Sequence, residues 1–230
     1  MTSAEQLQEL LELQTAPIAV AFRPERPANV SRISAAEPSG CSYWKRAAEG
    51  EAFYTEASDH YNCPIGAYTH GVEQPPAQAK ELEGVLGRMF GLHYLRPEEV
   101  RAIPRRQGKF RFAVYAPLAD APEEPDVVLV RGNAKQVMLL AEAAQAAGVG
   151  AESGLMARPT CAVVPEVLRT QRSAASLGCI GNRVYTGLAD GELYFALPGE
   201  HVKVVTEKLA EIVHANRELE KYHRARAFQA

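Results

Sequence analysis

Four cysteines, Cys41, Cys63, Cys161 and Cys179, are the side chains of this 230-residue chain best suited to do chemistry. Thiolates are soft ligands. Four that converge can close a tetrahedral Zn²⁺ site or carry an iron–sulfur cluster, and a single activated thiolate is a nucleophile or redox centre. The gaps between them are 22, 98 and 18 residues, with no Cys-x₂-Cys pair. Structural zinc sites usually contain one close pair, so the spacing weighs against zinc more than against a cluster. A third reading needs no cofactor, because isolated cysteines commonly serve as small buried hydrophobes.

The neighbours of the cysteines extend the candidate site. Cys41 and Cys179 each follow a glycine, which lets the backbone turn tightly or approach a ligand. Cys63 and Cys161 follow Asn62 and Thr160, good N-caps. Each therefore reads as the start of a short helix, where the dipole lowers a thiol pKa. Trp44 and Lys45 lie one helical turn from Cys41, and Asn182 and Arg183 follow Cys179. These four are candidate cofactor- or anion-binding residues, Arg183 through a bidentate guanidinium. His60 and His70 flank Cys63 as mixed ligands or as the base for a thiol. No Walker loop, Gly-x-Gly-x-x-Gly, His-Glu-x-x-His or Gly-x-Ser-x-Gly occurs, which removes the standard P-loop, dinucleotide, zincin and hydrolase readings.

The elements that must position these residues follow from periodicity. Leucines at 7, 10, 11 and 13 predict an amphipathic helix capped by Ser3. Strands are expected at 18–22, 51–58, 109–115, 127–130 and 192–197, with 127–130 buried on both faces. Helices are expected at 41–49, 75–90 and 97–103, from an Asn133 cap to Gly148, and from Gly199 to about Ala225. Strands alternating with helices favour an α/β fold with at least one parallel pair, with α+β as the alternative. At this length one domain over 1–230 is the expectation.

A repeat is also visible, in halves of about 15–75 and 125–185. In each, a strand is followed by a helix ending in glycine, and thirteen residues separate Gly50 from Cys63 and Gly148 from Cys161. On this overlay Cys63 corresponds to Cys161, and the two Gly-Cys pairs, at 41 and 179, correspond to each other.

Net charge is −3 and no basic stripe with aromatics appears, so nucleic acid is not an expected partner. Glutamates at 5, 9 and 12 interrupt the first leucines, and no window approaches 18 apolar residues. The expectation is a cytoplasmic chain with neither signal peptide nor membrane span, whose thiols stay reduced. Charged residues around Leu219 and Tyr222 on the terminal helix suit the rim of a homodimer contact.

Taken in order, Pro17–Phe22, Cys41–Gly50, Cys63–Ala67, Tyr115–Leu118, Pro125–Val130, Cys161-Ala162 and Cys179–Arg183 resemble the domain-of-unknown-function 169 family of bacteria and archaea, over roughly residues 5 to 215. By its name that family has no assigned activity. The resemblance therefore implies one fold over nearly the whole chain and the cysteine positions, not a reaction. Two functions remain on sequence grounds. The four cysteines hold an iron–sulfur cluster or metal for redox or substrate activation, or the chain is a non-catalytic module for a small anion, with the cysteines as core packing.

Overall fold

Apolar side chains at every position of Ile18–Phe22 and Val127–Val130 demand cover on both faces of a sheet, and the fold supplies it. The computed structural model describes residues 1–151 and 156–227. The strands are β1 (Ile18–Arg23), β2 (Ser31–Arg32), β3 (Phe53–Glu56), β4 (Phe112–Pro117), β5 (Val127–Asn133), β6 (Ala174–Ser176) and β7 (Glu192–Pro198). They form one seven-stranded mixed sheet in the order β2-β3-β4-β1-β5-β7-β6, and the fold is mixed α/β. The expected parallel pair is β2 on β3, at one edge, and the other strand pairs are antiparallel.

Period two sorts β5 between two cores. Val127 and Leu129 pack with residues of α2 (Gly40–Ala48), α3 (Pro64–Thr69) and α7 (Val163–Thr170), on the face that also carries α8 (Ile180–Thr186). Val128 and Val130 pack under α1 (Ser3–Leu11), α6 (Ala134–Ala146) and α9 (Val202–Ala227). Asn133 caps α6 in a capping box with Gln136. Two other caps fall one residue from their expected positions. Thr2 rather than Ser3 caps α1, where Glu5 closes the box. Cys63 itself, not Asn62, is the N-cap of α3, with Pro64 in the first turn. No helix among the described residues is long and apolar enough to cross a membrane.

The two halves of the sheet share strand order and register. Ile18 of β1 faces Pro117 of β4, and Val127 of β5 faces Pro198 of β7. Phe53 pairs with Tyr115 on one side and Ala174 with Ala196 on the other. Even the flanking bonds match. The Leu118 N–H donates to Pro17 O at 2.7 Å, and the Gly199 N–H donates to Asp126 O at 3.0 Å. At the centre β1 and β5 run antiparallel, with Ile18 opposite Leu129 and Val20 opposite Val127. A pseudo-twofold axis therefore passes through the Ala19–Val128 pair.

This symmetry corrects the cysteine pairing expected from spacing. Cys41, in the first turn of α2, corresponds to Cys161, in the 3₁₀ turn Thr160–Ala162 that leads into α7. Cys63 before α3 corresponds to Cys179 before α8. The thirteen-residue match laid α2 over α6, but α6 packs on the opposite face of the sheet. The matching strands also extend beyond the expected halves, to Pro117 and Pro198. The first half carries an insertion between α3 and β4, which holds α4 (Pro76–Gly91) and α5 (Pro97–Val100).

One asymmetry yields a test. At the position equivalent to Leu118 the second half has Gly199, where a Cβ would lie 1.7 Å from Pro125 O. Gly199→Ala should destabilise the protein by about 1–3 kcal/mol, the usual range for overpacking. Urea unfolding reads this as a lower midpoint with an unchanged slope. An unchanged midpoint would contradict the close approach.

Candidate functional site

The pseudo-twofold brings the starts of four short elements together on one face of the sheet. Helix α2, which carries Cys41, packs on α8, and the 3₁₀ turn holding Cys161 packs on α3. Cys41 and Cys161 are buried, while Cys63 and Cys179 are half-buried. All four line a single cavity of about 330 Å³. The inserted segment lies over it, contributing Val85 and Met89 of α4 together with Leu95 and Ile103. Helix α4 has no fully buried residue, so it rests on the cavity without being locked into the core.

Local bonds hold the sulfurs in place. The Gly66 N–H donates to Cys63 Sγ at 3.3 Å, and the Thr69 hydroxyl donates to Cys161 Sγ at 3.2 Å. Thr160 Oγ1 accepts the Cys179 N–H at 2.6 Å, which ties two of the cysteine-bearing turns to each other. Burial pushes the Cys41 and Cys161 thiols well above their usual range, and the other cysteines push them further. The lowered pKa expected for Cys161 at a helix start is therefore not found. One helix turn cannot offset complete desolvation when no cation stands beside the sulfur. Both thiols are neutral at physiological pH, so neither is a ready nucleophile. Among the described residues, no three His, Cys, Asp or Glu side chains are grouped so as to hold a metal ion.

Of the other residues singled out by sequence, Asn182 lines the cavity and Trp44, Lys45, Arg183, His60 and His70 do not. Trp44 is fully buried in the core, edge-on to Tyr194 at 5.3 Å. Lys45 stays at the surface beside Glu49. The Arg183 guanidinium donates to the carbonyls of Ala189, Leu177, Leu188 and Glu192, which closes the loop between α8 and β7. His60 and His70 are buried among Phe22, Tyr43, Phe110 and Tyr115, away from the cavity lining. Sequence reasoning missed several polar members of the lining, Asn62 and Arg158 among them. Asn62 was visible only as a cap beside Cys63, and nothing local to Arg158 marks it.

The chain belongs to the domain-of-unknown-function 169 family, described as uncharacterised ArCR, whose model matches residues 6–208. The uncharacterized protein MJ0308 of Methanocaldococcus jannaschii is 28% identical over 166 residues, covering 66% of this chain and 67% of its own. No solved structure matches.

The two histidines beneath the site make stability pH-dependent. Burial holds the pKa of His60 down to about 4 and that of His70 to about 3, each below an unfolded value near 6.5. Their folded pKa values are depressed, so above pH ~6.5 the folded state loses nothing to them. As pH falls below that, the unfolded chain takes up protons that the folded one refuses. Stability should drop by up to about 1.4 kcal/mol per pH unit for each histidine until the folded pKa is reached. Denaturant melts of His70→Phe between pH 7 and 4.5 should show a shallower slope than wild type. Parallel slopes would mean that His70 is not buried neutral.

Proposed function

We propose that Cys41, Cys63, Cys161 and Cys179 together hold an iron–sulfur cluster, used for electron transfer or for activating a bound substrate. The observation that carries this reading is the convergence of all four cysteines, two from each pseudo-symmetric half, on one cavity. A single zinc ion needs its four sulfurs packed at ~2.3 Å from one centre. A cluster spreads the same ligands over several irons, so sulfur–sulfur separations reach ~6–7 Å. Four cysteines that line one cavity of about 330 Å³ without grouping around a single-ion position favour the second arrangement. Neutral buried thiols are expected of such a site before loading, because the ligands give up their protons as the metal enters.

Lys45 and Arg183, the cations that the sequence offers for an anion module, are engaged elsewhere and do not line the cavity. A homodimer belongs to the proposal as well: Leu219 and Tyr222 are 54% and 53% exposed on α9. Sedimentation of the intact chain as a monomer at micromolar concentration would remove it.

The cluster is tested by anaerobic purification. Wild type should be brown, with iron and acid-labile sulfide in equal amounts. Each of Cys41→Ser, Cys63→Ser, Cys161→Ser and Cys179→Ser should lose most of the visible absorbance. The surface variant Lys45→Ala should keep it. Colourless, iron-free protein from cells able to assemble clusters would overturn the reading.

A further inference from the structure

The cavity holds polar groups that a metal cluster cannot satisfy. Asn62 Nδ2 donates to Glu37 O at 2.7 Å and to the Tyr43 hydroxyl at 3.1 Å. The Tyr43 hydroxyl in turn donates to Asp59 O at 2.6 Å. Both amide hydrogens of Asn62 are thereby used and its orientation is fixed, leaving Oδ1 buried and unpartnered. Asn182 is 1% exposed, its amide lies beside Cys41 and the Tyr194 hydroxyl, and neither Oδ1 nor Nδ2 reaches full hydrogen-bond geometry with them. A buried polar group left unsatisfied bears its full desolvation cost, so such groups are uncommon without a use. The symmetry-equivalent position, three residues after Cys63, is Gly66.

Thiolates and bridging sulfides are acceptors. They can take the Asn182 N–H, but they offer nothing to the carbonyl oxygens of Asn62 and Asn182. Those oxygens need a donor. Arg158 is the cation of the lining. Its nearest carboxylate oxygen, on Glu99, lies 3.6 Å away, and the other oxygen of Glu99 accepts the Arg96 N–H at 2.7 Å. Among the described residues Arg158 makes no hydrogen bond, and it stacks over Tyr94 at 5.0 Å. Its planar fork is held by this long ion pair and the ring face, so a bound carboxylate competes with Glu99 for it. Between these groups the wall is apolar, with Ile65, Val85, Met89 and Leu95. Glu81 is the one carboxylate on the lining and it sits exposed at the rim, so a buried ammonium would lack a counter-charge.

We infer that this cavity binds a short-chain hydroxy acid, its carboxylate on Arg158 and its hydroxyl donating to the Asn182 carbonyl. The inference shares its cavity with the cluster reading but stands on different atoms. The ligand is a candidate substrate beside the cluster if the cluster is present, and a bound metabolite if it is not.

Calorimetric titration of the full-length protein with glycolate and lactate, against acetate and propionate, tests it. The hydroxy acids should bind at least about tenfold more tightly than their deoxy counterparts, since a site built for a hydroxyl penalises its loss. Asn182→Leu should bring the two classes within about twofold, and Arg158→Gln should weaken all four acids by at least about tenfold. Equal affinity for the two classes in wild type, or no binding of any acid, overturns the inference whether or not Asn182→Leu folds. So does Arg158→Gln binding as tightly as wild type. The visible spectrum and iron content of the same samples report the cluster separately. Colourless protein that still prefers hydroxy acids keeps this inference and removes the cluster, and brown protein without the preference does the reverse.

Discussion

The antiparallel pairing of β1 with β5 is the contact on which the rest of the molecule depends. Both strands are apolar on both faces, so each must be covered twice, and pairing them about the Ala19–Val128 contact places one half of the sheet on either side. Helices then fall into two layers. One layer, α1, α6 and α9, is apolar cover. The other, α2, α3, α7 and α8, is arranged by the same pseudo-twofold, so its cysteine-bearing starts converge. The site is a consequence of the symmetry, not of any one local motif. That explains how four cysteines without a close pair in sequence come to share a cavity.

Symmetry alone would give a cavity with equivalent sides, and the departures from it make the two sides chemically different. The insertion between α3 and β4 covers one side with α4 and α5 and has no counterpart before β7. Asn182 stands where the other half has Gly66, and Arg158 enters from the approach to α7. Burial keeps the inner thiols neutral and leaves two amide carbonyls without donors. In the proposed reading the thiols hold a cluster, and the amides and the arginine hold a hydroxyl-bearing acid.

Much of the frame was readable from sequence, because long periodic elements announce themselves. The doubly buried β5, the Asn133-capped α6, α4 and the terminal α9 all lie where periodicity puts them. Strands β2 and β6, with two and three residues, are too short to show a period and were not legible. The repeat was visible but its alignment was wrong, since the spacing match ignored which face each helix covers. The cysteines were found by residue type alone, and their convergence needed the register of strands up to a hundred residues apart. Trp44 and Arg183 looked functional by proximity in sequence, yet one fills core volume and the other satisfies loop carbonyls. Arg158 could not be found at all, because its role arises only where the chain folds back beside α5.

X-ray absorption at the iron edge, on anaerobically isolated full-length protein, addresses the central claim most directly. The account predicts a first shell made only of sulfur at ~2.3 Å, together with a second shell of iron scatterers that only a polynuclear cluster supplies. Iron with oxygen or nitrogen neighbours and no iron–iron scattering would contradict it, as would protein free of iron whose four thiols all react with an alkylating agent after unfolding.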